Sequence, residues 1–356
     1  MFHNYKHDEK DPTCKYSFEI HDVDISFVNG IRRVMLTDIP TPGVIGEIEP
    51  TVEIIKNIGG LHNEIIAHRI GLIPICVSEE LYDSIEDNDM QIELNVKNNG
   101  IKIMNVDSGQ IKGTMKGNEL TNSQLSSLFP KNKITDSHVL ITRLRSNEEL
   151  HFKANIVKKT ARYNSAFSPV SLANFFYIQN ESNFKKDMSI LDKERTYHKN
   201  KFGEATRVQF EIEPINFNIS AKFLVNRCLD ILIQKFKNIS DNLFSDNKNI
   251  LISQCDELSN TFQFVIMNED DTIGNILQSF IHNKYIRNKS SFNDIICSYI
   301  GYICPHPLKE ELIIKLTLDD QSDINKFIMF MDSHCKIIID ELSIIKNEWN
   351  KFIDNK

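Results

Sequence analysis

The sequence predicts an α+β protein of two or three domains, and three observations carry that prediction. An alternating segment, Lys15 to Ile25, runs into an amphipathic helix; the long middle of the chain is a series of short strands divided by polar turns; the tail orders its elements β-α-β-β-α. Its last helix keeps one apolar stripe over about 45 Å.

Taken in order, a polar leader, MFHNYKHDEKDP, precedes the alternating strand, and Ser26 is placed to cap a helix from Phe27 to about Asp38. Pro40 and Pro42 end that helix. Phe27, Ile31, Val34, Met35 and Leu36 form its apolar stripe, and Arg32 and Arg33 lie off the stripe's centre. From Glu47 to about Gly203 the turns NNG, DSG and KGN separate short strands, which describes an inserted, mostly β module. A strand from Arg207 to Glu213 leads to a helix from about Ser220 to Ile239, nearly encircled by Phe223, Leu224, Val225, Cys228, Leu229, Leu232 and Phe236.

Residues 241–257 lack a sustained pattern and read as a linker. The tail then gives a strand (Thr261 to Met267), a helix (Thr272 to Tyr285, with Ile276, Leu277 and Phe280), two strands (Ser298 to Tyr302, Leu312 to Leu318) and a helix from Asp323 to Phe352. Phe327, Met331, Cys335, Ile338, Leu342 and Trp349 lie on one stripe of the last helix, longer than its own small sheet can cover. Two readings stay open: each apolar face serves its own core, or the encircled helix and the long stripe meet.

Composition narrows the function class. The formal net charge is -8, and from Leu258 onward 10 Lys/Arg stand against 14 Asp/Glu, so the tail lacks the concentrated basic face that phosphate binding needs. Seven cysteines form no C-x-x-C pair, which fits a reducing compartment. The leader is too polar for a signal peptide, and no apolar run approaches the roughly 20 residues of a membrane span. An intracellular protein whose partners are proteins is expected.

FVNGIRRVMLTDIP (Phe27 to Pro40) and NEIIAHRIGLIPI (Asn63 to Ile75) resemble, in the same order, two signatures of the RNA polymerase subunit called alpha in bacteria, D in archaea and third-largest in eukaryotes. ARYNSAFSPVS (Ala161 to Ser171) resembles that family's S-P-V loop. NEDDTIGNIL (Asn268 to Leu277) and YIGYICPHPL (Tyr299 to Leu308) resemble the partner family, archaeal L and the eukaryotic eleventh subunit. The resemblance implies an alpha-subunit-type dimerisation domain (1–46 and 204–240) with a β-rich insertion (47–203), a linker (241–257) and a second domain of the same dimerisation type (258–356). Such a linker spans up to about 60 Å and sets an effective concentration of around mM.

The resemblance further implies a non-catalytic platform that docks the largest and second-largest polymerase subunits, with small subunits on the insertion and DNA reached only through the complex. Asn29, Arg32, Arg33, His68, Arg69, Ser168 and Pro169 are the implied assembly contacts. Phe27, Ile31, Phe223, Leu224, Leu232, Ile276, Leu277, Phe280, Phe327, Met331 and Ile338 are the implied interface between the two dimerisation domains. No metal or cofactor is expected on this chain, magnesium and zinc belonging to other polymerase subunits. The fusion and the Asn-, Ile- and Lys-rich composition resemble large cytoplasmic DNA viruses, implying host cytoplasm and the virion as locations.

Plainer readings stand beside these. An arginine pair off a helix stripe is a solvated face; Glu64 and His68 are simple i,i+4 neighbours, with Gly71 ending the helix in a left-handed conformation. Asp271 beside Thr272 suits a helix N-terminus, and Gly274 marks a close approach or a tolerated first-turn glycine. The rival function is an intracellular metal-dependent hydrolase using His62, His68, His138 or Cys304 with His306.

Overall fold

The computed structural model describes residues 1–8, 11, 13–185, 187–245, 249–255, 260–293, 295–319 and 323–356. Strand β1 (Phe2–His7) pairs antiparallel with β2 (Tyr16–His21), where the sequence suggested a polar leader. Residues 9, 10 and 12 of that leader lie outside the described residues. Phe2 is the reason for the difference: its ring is buried against Phe18 and Trp349, so one large apolar side chain anchors an otherwise polar strand. Helix α1 (Ile25–Thr37) is capped by Asp24, whose carboxylate accepts from the Ser26 N–H at 2.8 Å, while the expected cap, Ser26, is buried inside the first turn.

The middle segment runs through β3 (Thr41–Gly43), β4 (Val52–Asn57), α2 (Asn63–Gly71), α3 (Glu79–Ser84), β5 (Met90–Lys97), β6 (Met104–Asp107), β7 (Lys112–Met115) and β8 (Asn118–Glu119). It continues through α4 (Asn122–Leu128), β9 (Leu140–Leu144), β10 (Glu149–Asn155) and β11 (Val157–Lys159). Its main sheet has the order β4-β10-β5-β7-β8, flanked by the pairs β3·β11 and β6·β9. The KGN turn joins β7 to β8 with φ of 49° at Lys116 and 82° at Gly117, the left-handed backbone that a tight hairpin demands.

The first unit closes with β12 (Val170–Tyr177), α5 (Ile190–Glu194), β13 (Arg207–Pro214) and α6 (Ala221–Asn242). Strand β12 falls within the stretch 47–203, yet it pairs with β13, so the chain rejoins the first sheet well before Gly203. Phe176 and Tyr177 are exposed there, which hides the inside-outside alternation from a reading of polarity alone.

The second unit comprises β14 (Ile250–Gln254), β15 (Thr261–Met267), α7 (Asp271–Ile281), β16 (Cys297–Ile303), β17 (Glu311–Leu318) and α8 (Ile324–Asp354). Much of the expected linker is structured: α6 runs on to Asn242, and β14 adds an edge strand to β15. Residues 246–248, 256 and 257 of that segment lie outside the described residues. Only Ile250 of β14 is buried, so its side chains gave little strand pattern to read. With β14 present the unit is β-β-α-β-β-α, and both units share one topology. Their sheets, β1-β2-β13-β12 and β14-β15-β17-β16, are each ordered first, second, fourth, third.

Gly274 meets the close-approach reading, since a Cβ there would stand 2.6 Å from the Tyr302 ring and 2.7 Å from Leu312. The cap of α7 is Asp270, which accepts from the Thr272 N–H at 2.8 Å, so neither Asp271 nor Thr272 is the capping residue. Among the described residues no helix is long and apolar enough to cross a membrane.

His334 of α8 is fully buried among Phe330, Tyr285 and Phe292, with ring centroids 4.1, 4.9 and 5.0 Å away. Its Nδ1–H donates to the Phe330 carbonyl at 2.5 Å. Burial lowers its pKa to about 4, the Phe330 bond opposing and Lys284 adding to the fall. The folded pKa lies below the unfolded one, so the stabilisation is complete above pH 6.5 and is lost as pH falls towards 4. That loss amounts to about 3 kcal/mol. In urea titrations His334→Leu should remove it, leaving the variant more stable than the parent at pH 4.

Candidate assembly interface

The two units meet along α6 and α8, which pack antiparallel. Three polar rungs give the direction: Lys222 to Asp354 at 2.5 Å, Asn226 to Asn350 at 2.8 Å and Asp230 to Lys346 at 2.5 Å. Each step is four residues along both helices in opposite senses, one helical turn per rung. Alongside them Leu224, Leu232 and Phe236 of α6, and Met331, Cys335, Ile338, Leu342 and Trp349 of α8, are fully buried. The stripe of α8 covers two sheets. Phe327 packs against Phe262 of its own sheet with rings tilted and centroids 4.4 Å apart, and Trp349 reaches Phe18 and Phe2 of the other at 4.7 and 5.1 Å.

A second crossing brings α1 against α7. Gly30 makes it possible, because a Cβ there would stand 2.7 Å from Ile276 and 3.8 Å from Leu232. Phe27 and Phe280 meet edge-on at 6.4 Å, and Ile31 and Leu277 are buried in the shared core. The Asp24 carboxylate that caps α1 also accepts from Asn283 at 2.8 Å and Ser279 at 3.2 Å, tying the start of α1 to α7.

At the other end of the crossing lies a cluster of charge. Asp38, with a side chain 6% exposed, sits at the C-terminal end of α1, where the helix dipole disfavours a carboxylate. Arg162 at 2.6 Å and Lys235 at 3.4 Å hold it there. Both cations also bridge to the second unit, Arg162 to Asp270 at 2.7 Å and Lys235 to Glu269 at 2.9 Å. Arg33 joins them, its Nε donating to Thr272 Oγ1 at 2.8 Å. Burial would raise the Asp270 carboxyl, but hydrogen bonds from Thr272 and Arg162 outweigh it and pull it down to about 2. Burial would lower Lys235, and Glu269 and Asp38 outweigh that in turn and raise it.

These surfaces coincide with two matches to known proteins. A model described as the RNA polymerase Rpb3/Rpb11 dimerisation domain matches residues 17–236, more than half of the chain. The chain belongs to the RNA polymerase Rpb3/Rpb11 dimerisation-domain family. A second model of that description matches residues 261–348, so both units of this family member carry the domain. The DNA-directed RNA polymerases I and III subunit RPAC1 of Saccharomyces cerevisiae is 26% identical over 180 residues, 45% of this chain and 52% of its own length. The Homo sapiens protein of the same name is 26% identical over 176 residues, 44% and 49% of the two chains. DNA-directed RNA polymerase subunit Rpo3 of Thermococcus kodakarensis is 33% identical over 99 residues, 27% and 36%. The chain spans about half the length of the RPAC1 relatives it matches.

Within this Rpb3/Rpb11-type framework the expected contact residues separate. Arg32 is half-buried and donates to Asn29 Oδ1 at 3.0 Å within α1, whereas Arg33 reaches across the crossing to Thr272 and Asp270. The two arginines therefore have different partners. Phe223, expected at the interface between the two domains, meets Tyr82 of α3 in its own unit edge-on at 5.0 Å. Ser168 donates to the carbonyls of Val170 and Leu36 at 2.8 and 3.3 Å, and buried Pro169 accepts from the Ile215 N–H, so this loop fastens the end of α1.

On α2, His68 pairs with Glu47 at 3.4 Å rather than with Glu64, and Arg69 donates to the Leu140 carbonyl at 2.7 Å. Gly71 is not left-handed. It is required because a Cβ would stand 2.9 Å from the Gly46 nitrogen. Beside α2 a groove of about 650 Å³ includes Ile48, 83% exposed and held at φ 38°, an uncommon conformation for a β-branched residue. His62, His68, His138, Cys304 and His306 enter no group of three or more potential metal ligands among the described residues.

Sequence reasoning missed Asp38, Arg162, Lys235, Glu269 and Asp270 as one site. Only the charges themselves were visible, with no spacing to connect positions so far apart.

Two outcomes are expected. Trp349 is the one tryptophan of the chain, so its emission should report separation of the units and change in a single urea transition coincident with far-ultraviolet dichroism. The folded pKa of Asp270 lies below the ordinary 3.8, so its contribution, on the order of 2 kcal/mol, is present above pH 4 and lost as pH falls to 2. The stability gap between the parent and Asp270→Asn should close over that interval.

Proposed function

We propose that this chain is a non-catalytic assembly subunit of a multisubunit DNA-directed RNA polymerase, in which the two dimerisation domains pair with each other as an intramolecular pseudo-heterodimer. The observation that carries this reading is the antiparallel α6–α8 seam, which joins two units of identical strand order that each match the dimerisation domain. In separate chains such pairing depends on concentration; a covalent connection holds the partner at around mM. The polymerase role is supported by the names of the relatives, each a DNA-directed RNA polymerase subunit.

On this reading the paired units dock the largest and second-largest polymerase subunits, and small subunits sit on the β-rich segment. Arg32, held by Asn29 on α1 and only half-buried, offers a guanidinium suited to a charged protein surface. The groove beside α2, with its exposed Ile48, offers an apolar anchor point. Tandem domains in one chain and an Asn-, Ile- and Lys-rich composition support an origin in a large cytoplasmic DNA virus, with host cytoplasm and virion as locations.

Affinity purification of the tagged chain from cells making the native complex tests the proposal. The two large polymerase subunits should co-purify stoichiometrically. Arg32→Glu should lower recovery of the second-largest subunit about tenfold while leaving the chain folded. Purification of the parent without either large subunit would overturn the reading.

A further inference from the structure

We propose that the charge pairing at the end of α1 selects which surfaces join, so that the first unit accepts the second and rejects a copy of itself. This rests on the paired-unit reading above and names its selectivity determinant. Apolar burial cannot make that selection, because both units bring helices of the same topology and similar apolar character, and the hydrophobic effect is non-directional. Nor can the α6–α8 rungs. Lys222 and Asp230 face Asp354 and Lys346, so each helix contributes one charge of each sign, and these pairs set direction and register only.

The cluster at the end of α1 is different. The first unit supplies three cations, Arg33, Arg162 and Lys235, against the single carboxylate Asp38, whereas the second unit supplies the carboxylates Glu269 and Asp270. At this cluster the first unit is net positive and the second net negative, whereas elsewhere along the seam Glu204 of the first unit pairs with Arg287 of the second in the opposite sense. Lys235 and Glu269 are the most enclosed of the cross-seam pairs, with side chains 18% and 12% exposed, so solvent screens them least. Joining two first units through the same crossing would put Val23 and Asp24, the cap of α1, where Glu269 and Asp270 stand, leaving Lys235 without its second carboxylate. Joining two second units would set Asp270 against the neutral Ser279 and Asn283 in place of cations. A charge left enclosed without its partner acts against the wrong pairing.

The test uses the full chain carrying Lys235→Glu, Glu269→Lys, or both. Urea midpoints are read from Trp349 emission and mass from native mass spectrometry. Each single variant should unfold at lower urea and populate self-associated species. The double variant should return to the parent's mass and recover at least about tenfold in the unfolding equilibrium constant relative to the sum of the singles. A double variant no more stable than that sum, or singles that match the parent, would overturn the proposal. Should the singles fail to fold, Lys235→Gln and Glu269→Gln serve instead: losses smaller in combination than in sum support it, and additive losses overturn it. Capture of the large polymerase subunits is measured alongside. A double variant that captures them without regaining stability sinks only the charge selection, and a parent that captures none sinks only the polymerase reading.

Discussion

The packing of α6 on α8 is the contact on which the rest of the molecule depends. Neither helix can complete its own unit alone: the first turns of α8 lie over Phe262 of the second sheet, and its last turns reach Phe2 and Phe18 of the first. Each fully buried large apolar side chain contributes about 1.5–3 kcal/mol relative to exposure, and the seam holds a continuous row of them on both helices. Even the first strand of the chain is drawn in by this contact, since Phe2 has its place because Trp349 arrives from the other unit. The two dimerisation domains are thus one core with two sheets.

Electrostatics adds selectivity to that core at a cost. Asp38 stands at the unfavourable end of a helix dipole and Glu269 is largely enclosed, and taking such groups from water costs several kcal/mol per ion. Arg162 and Lys235 offset this by bridging carboxylates of both units, so the cluster is satisfied only when the units are together. A buried pair of this kind is weak as a source of stability, yet removing one partner costs about 3–5 kcal/mol. That asymmetry suits a joint that has to distinguish two similar surfaces.

On the proposed assembly role, the surfaces offered to other proteins are those at Asn29 and Arg32 of α1 and around α2. Backbone geometry holds the latter surface in place: the segment after Gly46 is tied at its base by reciprocal hydrogen bonds between Ile45 and Thr51, and α2 presses so closely on Gly46 that no side chain fits between them.

Much of this was legible in the amino-acid sequence. Helical periodicity placed α1, α6, α7 and α8 to within a few residues, because a 3.6-residue apolar repeat is a local property of the chain. The excess length of the α8 stripe signalled a second surface to cover. Three features escaped. Strands β1, β12 and β14 bury too few side chains on the core face to alternate visibly. Arg33 could not be told from Arg32, since adjacent helical residues differ only in where they point, and Thr272 and Asp270 decide that from a distant part of the chain. The Asp38–Arg162–Lys235–Glu269–Asp270 cluster has no sequence spacing at all. Sequence alone therefore determined where the helices α1, α6, α7 and α8 lie and which of their faces are apolar, both matters of local pattern, while the short α3, α4 and α5 within the strand-rich middle went unread. Only the tertiary structure decided which charges become neighbours, because that follows from the crossing of helices far apart in the chain.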